Sequence, residues 1–252
     1  MPIMEPMQHY RADLHIHTAL SPCADLGMSP AAIIEKARER GLHLIGIADH
    51  NSTKNALVVQ EMAAEASILA LAGAEVTTAE EVHCLVFFAT AQHLHSFQQY
   101  LEEHIVRIAN PDGQLGDQPV VDKEENVVEM LPYWLPAALR EGITAVQHKV
   151  ASLNGLFIPA HINRPANGIM AQLGFIPPGL PFAALEFTGK TTADAIRRSY
   201  RLPPHITLIS GSDAHFPEQI GVNHSIFLMQ DLSFSEVQKA LARQEGRLVQ
   251  TM

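Results

Sequence analysis

Apolar residues along this chain come in short runs, and most of the runs end in a polar cluster. Tyr10 to Ile16 alternates apolar and polar side chains and reads as a strand, because successive side chains of a strand face opposite ways. Leu44-Ile45-Gly46-Ile47-Ala48 is apolar without a break, the pattern of a strand covered on both faces. Ile68 to Ala72, Val82 to Phe88, Leu156 to Ala160, Ala183 to Phe187 and Ile206 to Ile209 predict further strands, with Ser225 to Met229 as one more. Between them lie helical segments. Ser29 predicts an N-cap with Pro30 in the first turn, and Ile33, Ile34 and Ala37 carry the helix to Gly41. Helices are also predicted over Ala56 to Ala66, over His93 to Ile108, and from Ser233 or Ser235 through Ala242. Asn126 to Leu131 and Leu135 to Leu153 read as helix, broken near Pro132 and Pro136. Asn110 to Gln118, rich in Pro, Asp, Gly and Gln, reads as a loop or lid.

Strands that alternate with helices predict a parallel sheet with crossover helices. Seven or so such units suggest a closed or distorted β/α barrel, with a doubly wound open sheet as the alternative. Barrels of this kind commonly run to about 250 residues as one domain, and this chain has 252. With no repeat and no clear boundary, the expectation is a single domain over 1–252, with a lid or insertion around 93–153.

The polar clusters carry the chemistry. His15, His17, His50, Glu75, His161, Asp213 and His215 lie at or just past the C-terminal ends of predicted strands. In β/α barrels that end carries the active site. Asp25 lies on the loop after the first strand, and His83 sits at the start of its run, where only a tilt or another register brings it in. Imidazole plus carboxylate suits divalent Zn, Mn or Fe. These nine candidates exceed the four ligands of a tetrahedral zinc site, so two or three metal ions sharing a bridging carboxylate are expected. The remaining eight of the fourteen histidines default to ordinary packing or surface roles. Asp49 and Glu186 are candidates to orient an imidazole from behind. Cys84, alternating with His83, should face outward into the helix layer.

Composition narrows the partners. The net charge is −10, from 17 basic and 27 acidic residues, and no basic run is present. Nucleic acid is therefore not expected as a partner. No apolar run spans a membrane, and Met1 to Arg11 lacks the form of a secretory signal. Two cysteines are too few for a disulfide framework, so a reducing cytoplasm is the default compartment. The sequence leaves the oligomeric state open.

Asp13-Leu14-His15-Ile16-His17, Ile47-Ala48-Asp49-His50-Asn51, Pro159-Ala160-His161 and Ser210-Gly211-Ser212-Asp213-Ala214-His215 resemble, in order, motifs of the PHP (polymerase and histidinol phosphatase) superfamily. The resemblance runs from about residue 12 to about residue 216. It implies a distorted seven-stranded β/α (TIM-like) barrel with a trinuclear metal site. By motif, His15, His17, Glu75 and Asp213 would hold one metal, and Glu75 would bridge to a second held also by His83 and His161. Asp25, His50 and His215 would hold a third. Cys23 is the alternative to Asp25, and would favour zinc.

The implied activity is that of a metal-dependent phosphoesterase hydrolysing a small phosphorylated substrate with a metal-bound hydroxide. Asp213 and Glu75 would act at the metals. Arg164, three residues after His161, would meet the phosphate with its planar fork. A PHP-type exonuclease, hydrolysis of a non-phosphate bond and a non-catalytic metal-binding module are the alternatives.

Overall fold

A computed structural model describes residues 6–251. Met1 to Glu5, part of the stretch read above for a signal, lie outside the described residues. The elements are β1 (Gln8–Ile16), α1 (Pro30–Glu39), β2 (Leu44–Ile47), α2 (Ala56–Glu65), β3 (Leu69–Thr77), β4 (His83–Phe88) and α3 (Ala91–His104). There follow β5 (Pro119–Val121), β6 (Val127–Met130), α4 (Ile143–Ser152), β7 (Leu156–Pro159), α5 (Ile169–Gln172), β8 (Leu185–Phe187) and α6 (Ala193–Tyr200). The chain ends with β9 (Leu208–Ser210), β10 (Ser225–Met229), α7 (Phe234–Leu241) and β11 (Leu248–Thr251). No helix among the described residues is long and apolar enough to cross a membrane.

Seven strands form one sheet in the order β11-β10-β1-β2-β3-β4-β7, and β8 pairs with β9 alongside. The sheet curls into a half-barrel, and looser bonds carry the curl round. Ala183 N donates to Phe157 O at 2.8 Å, and Ile162 N donates to Glu186 O at 2.9 Å. Beyond β9, Ala214 N donates to His15 O and His17 N to Ala214 O, so this segment docks on the end of β1. A distorted ring of β1, β2, β3, β4, β7, β8 and β9 results. The other half of β1, from Gln8 to Ala12, pairs instead with β10.

The core has two parts. Leu14, Leu44, Leu71, Leu85, Phe87, Ile158 and Ile209 cluster inside the curl. Ile33, Ile45, Val59, Val86, Phe97, Val146 and Phe157 pack between the strands and the helices. Period-two alternation divides them. On β3, Ala70, Ala72, Ala74 and Val76 join the outer layer. Leu71, Gly73 and Glu75 therefore face in. Cys84 lies in the outer layer, as its alternation with His83 predicts.

Three expectations fail, each for a physical reason. The sheet is mixed, not parallel: β3 runs through Glu75 to Thr77, then turns back, and β4 pairs with it antiparallel from Thr77 opposite His83. The link from Thr77 to His83 is far too short for a crossover helix, which takes a dozen or more residues. The predicted helix over Asn126 to Leu131 is instead β6, whose exposed Val127 and Val128 favour extended backbone, paired antiparallel with β5. The helix predicted from Leu135 starts only at Ile143, with Gly142 as N-cap. Pro132 and Pro136 hold the stretch before it out of helical form. By contrast, α1 begins as predicted, with Ser29 capping it and Gly41 in the left-handed region just past its end.

Close approach of β3 and β4 demands glycine at position 73. A Cβ built there would lie 1.8 Å from Val86 O. Gly73→Ala should destabilise the fold by about 3 kcal/mol, the upper range for an overpacked site. Denaturant unfolding should register a lower midpoint at unchanged slope; an unchanged midpoint would mean that the strands separate freely.

Candidate metal centre

Most of the candidate ligands come from strand ends, and the hairpin explains the odd one. β4 runs against β3, so its first residue lies at the same end of the sheet as the last residues of β3. His83 reaches the cluster for that reason, without tilt or slipped register. Glu75 lies within β3, not after it, and is 1% exposed. Its Oε1 is 2.9 Å from His83 Nδ1 and 3.0 Å from His161 Nε2. Its Oε2 is 3.1 Å from His50 Nδ1 and 3.5 Å from His17 Nε2. One carboxylate thus stands between two groups of imidazoles.

The proton positions of His15 and His17 follow from what lies behind them. His15 Nδ1 is 2.9 Å from Glu186 Oε2. A carboxylate only accepts, so Nδ1 carries the proton and Nε2 turns a lone pair inward. Behind His17, Ser21 Oγ donates to Asp49 Oδ1 at 2.7 Å, leaving Oγ to accept from His17 Nδ1 at 2.9 Å. His17 Nε2 is therefore also an inward lone pair. The two Nε2 atoms lie 3.2 Å apart, and Asp213 Oδ1 is 3.2 Å from one and 3.3 Å from the other. These Nε2 atoms and carboxylate oxygens converge on one point, where a cation can take the place of a proton.

Ligand atoms fall into three groups, each within 4.8 Å: His15, His17, Glu75 and Asp213; His50, Glu75 and His83; His17, His50 and His215. His161 joins the second through Glu75 Oε1. Asp25 is not brought in. It is exposed, and its Oδ1 accepts from Gly27 N at 2.7 Å, a local turn that holds the carboxylate away from the imidazoles. Its main-chain N–H donates to His215 O, so it steadies the His215 loop instead. Cys23 is the loop residue that meets His50 and His215.

The electrostatics are those of a buried charge cluster. Burial opposes charge on Glu75, but His83 and His15 outweigh it and hold the carboxyl well below its usual range. Asp213 is likewise held low against burial, by His15 and His17. Burial also opposes charge on His15, yet Glu186, Asp213 and Glu75 together raise it well above the ordinary imidazole value. His17 goes the other way, lowered by burial and by His215. The Cys23 thiol, despite some burial, is brought down to about 6 by hydrogen bonds with His215 and His50.

Backbone strain collects at the same place. His161 has φ 28°, Asp213 φ 53° and Asn51 φ 43°, left-handed values that non-glycine residues adopt only when their surroundings fix them. Asp13 supplies part of that fixing: its buried carboxylate accepts from Ser212 N at 2.9 Å and Gly221 N at 2.8 Å, tying β1 to the Asp213 loop. Burial raises its carboxyl to about 6, against the pull of those bonds. Sequence reasoning gave Asp13 no role, although it opens the first motif. Arg164 lies at the mouth with a half-exposed side chain, its Nη1 2.5 Å from Asp213 Oδ2.

A half-barrel with imidazoles and carboxylates gathered at one end defines an α/β protein whose donor set fits divalent cations. The chain belongs to the PHP domain family, whose model matches residues 13–164. The uncharacterized protein YqxK of Bacillus subtilis is 24% identical over 96% of this chain, and the match covers 64% of that protein. The fold is similar to that of the lesion-specific endonuclease PfuEndoQ from Pyrococcus furiosus, with TM-score 0.71 and 18% identity over 96% of this chain and 58% of that one. It is also similar to a two-domain Bacteroides vulgatus protein containing a predicted PHP-like metal-dependent phosphoesterase, with TM-score 0.56 and 14% identity over 100% of this chain and 67% of that one. The chain thus spans under two thirds of the length of the Bacillus subtilis and Pyrococcus furiosus proteins.

The Glu186–His15 contact yields a test. Glu186→Gln keeps the shape but no longer forces the proton onto Nδ1, and metal affinity should fall about 10–100-fold. Asp213→Asn, which removes a ligand charge, should cost more. Elemental analysis and competition against a chelator measure both; wild-type affinity in Glu186→Gln would dismiss the role given to Glu186.

Proposed function

We propose that this protein hydrolyses phosphate esters at a centre of two or three divalent ions, and that its substrate is the phosphodiester backbone of a nucleic acid strand. The observation that carries the first part is the pairing of Arg164 with Asp213 at the rim of a donor set built for cations. The three ligand groups share His17, His50 and Glu75, which supports more than one ion. Zn, Mn and Fe all suit imidazole and carboxylate, and Cys23 in the loop position tilts the choice to zinc. His15, His17, Glu75 and Asp213 would hold one ion; Glu75, His83 and His161 a second; His50, His215 and Cys23 a third. When bound, such ions acidify water and absorb charge that develops on phosphoryl oxygens.

The chain's own residues do the rest. Glu186 and the Ser21–Asp49 pair keep their protons on the outer nitrogens, so His15 and His17 stay fixed as ligands. Arg164 reaches over Asp213 with one half of its fork, leaving further N–H groups for an outer phosphate oxygen. His15, His17, His50, Glu75, His161 and Asp213 are buried, which strengthens each of these contacts.

The nucleic acid reading replaces the expectation drawn from net charge. A net charge of −10 describes the whole surface, whereas the mouth carries Arg164. The similarity to a lesion-specific endonuclease over 96% of this chain supports it. A small phosphorylated molecule is the second reading, favoured by the cavity of about 430 Å³ beside His50 and His83, the size of a small-ligand pocket. We further propose one domain over 1–252, and a reducing compartment on the two free thiols of Cys23 and Cys84.

A panel of single- and double-stranded oligonucleotides and phosphomonoesters, run on metal-analysed protein, tests the reading. Metal-dependent cleavage of oligonucleotides is expected. Turnover of monoesters alone moves the assignment to the second reading, and no turnover of any phosphate ester overturns it. Arg164→Ala should raise KM about tenfold or more at unchanged metal content, and Arg164→Lys should raise it less, as a charge without the fork. Equal losses on a neutral ester would remove Arg164 from phosphate binding.

A further inference from the structure

The cavity beside the metal centre has two unlike kinds of lining. Cys23, His50, His83 and Asn167 are polar; Pro22, Leu115, Trp134 and Pro136 form an apolar wall. Trp134 is the only tryptophan of the chain. Its ring is partly buried against the outer core, and its segment belongs to no helix or strand.

That segment is nevertheless fixed. Gln118, 1% exposed, donates through Nε2 to Tyr133 O at 2.7 Å and accepts Leu135 N at Oε1 at 2.8 Å. Asn51, 2% exposed, donates through Nδ2 to Leu135 O at 2.8 Å and Ala137 O at 2.9 Å. Two buried carboxamides therefore clamp the chain on either side of Trp134. Asn51 directly follows His50, so the clamp sets the indole relative to a residue of the metal centre. The rest of that wall is built as well. A Cβ on Gly116 would lie 2.5 Å from Pro22 O, so the Leu115 loop rests on the Pro22 loop. A clamped indole among prolines and a leucine, lining one cavity with His50 and His83, is matched to a flat aromatic ring joined to an anion.

We propose that this wall is a ring-stacking subsite, in which Trp134 carries the nucleobase of the nucleotide whose phosphate faces the His50 and His83 side. The assignment rests on the phosphate ester reading above. Bases stack on aromatic side chains with little sequence preference, because every base has a π face. A sugar phosphate without a base gains nothing from that wall, so the subsite selects nucleotides over other phosphate esters.

The lone tryptophan makes the wild-type protein its own reporter. A deoxynucleoside 5′-monophosphate should quench its fluorescence saturably, and deoxyribose 5-phosphate should not. Equal quenching by both, or by neither, overturns the subsite. In turnover, the ratio of kcat/KM for a dinucleotide to that for a base-free phosphodiester should fall about tenfold in Trp134→Ala and recover in Trp134→Phe. An unchanged ratio in a folded, active Trp134→Ala protein overturns it too. Should Trp134→Ala fail to fold, the wild-type titration and the Trp134→Phe ratio decide. Base-dependent quenching without hydrolysis of any ester would sink the phosphoesterase reading and leave the ring site standing, whereas hydrolysis without base dependence would do the reverse.

Discussion

One buried carboxylate organises this molecule. Glu75 sits on a central strand, and five imidazoles, those of His15, His17, His50, His83 and His161, come within 3.5 Å of it. Desolvating a carboxylate costs several kcal/mol unless it is compensated by charge and hydrogen bonds. Here the compensation comes from β1, β4 and the ends of β2 and β7, so the strands must converge at that end for Glu75 to be tolerated. The curl of the sheet and the turn back of β4 satisfy the same requirement. Cations held there would bind the folded state alone and stabilise it further, so the function and the stability of this fold are coupled.

Around that centre a second set of acids fixes what the inner groups do. Glu186 faces His15 and also accepts from His161 N, joining β1 to the loop after β7. Asp49 gathers Thr18 N, Thr18 Oγ1 and Ser21 Oγ, and acts on His17 through the serine. Asp13 joins β1 to the Asp213 loop. They hold the outer imidazole nitrogens and the loops in place, which is why the inner nitrogens point at one another and why the strained φ values at His161 and Asp213 persist.

The segment from Asn110 to Pro136 forms the outer rim. It holds little regular structure, only a short hairpin and a single turn of 3-10 helix, yet buried amides of Gln118, Asn110 and Asn51 fasten it. Outside the hairpin, main chain that would otherwise move is fixed by these side-chain hydrogen bonds.

Much of the fold was legible in the sequence because strand alternation, helix caps and prolines act over a few residues. The runs at Leu44 and Leu156, the Ser29 cap and the outward face of Cys84 are of that kind, and so is the placing of His15, His17, His50, His161 and Asp213 at strand ends. Only tertiary structure decided the rest. The direction of β4, and with it the way His83 enters, depends on a pairing with β3 that no local pattern specifies. Pro132 and Pro136 marked a break, but not that the stretch before it pairs as a hairpin. Asp25 is held in a turn at Gly27, whereas Cys23 meets His215, far along the chain. Glu186 and His15 stand 171 residues apart. Local rules place such residues on their strands; only closure of the sheet brings them into contact.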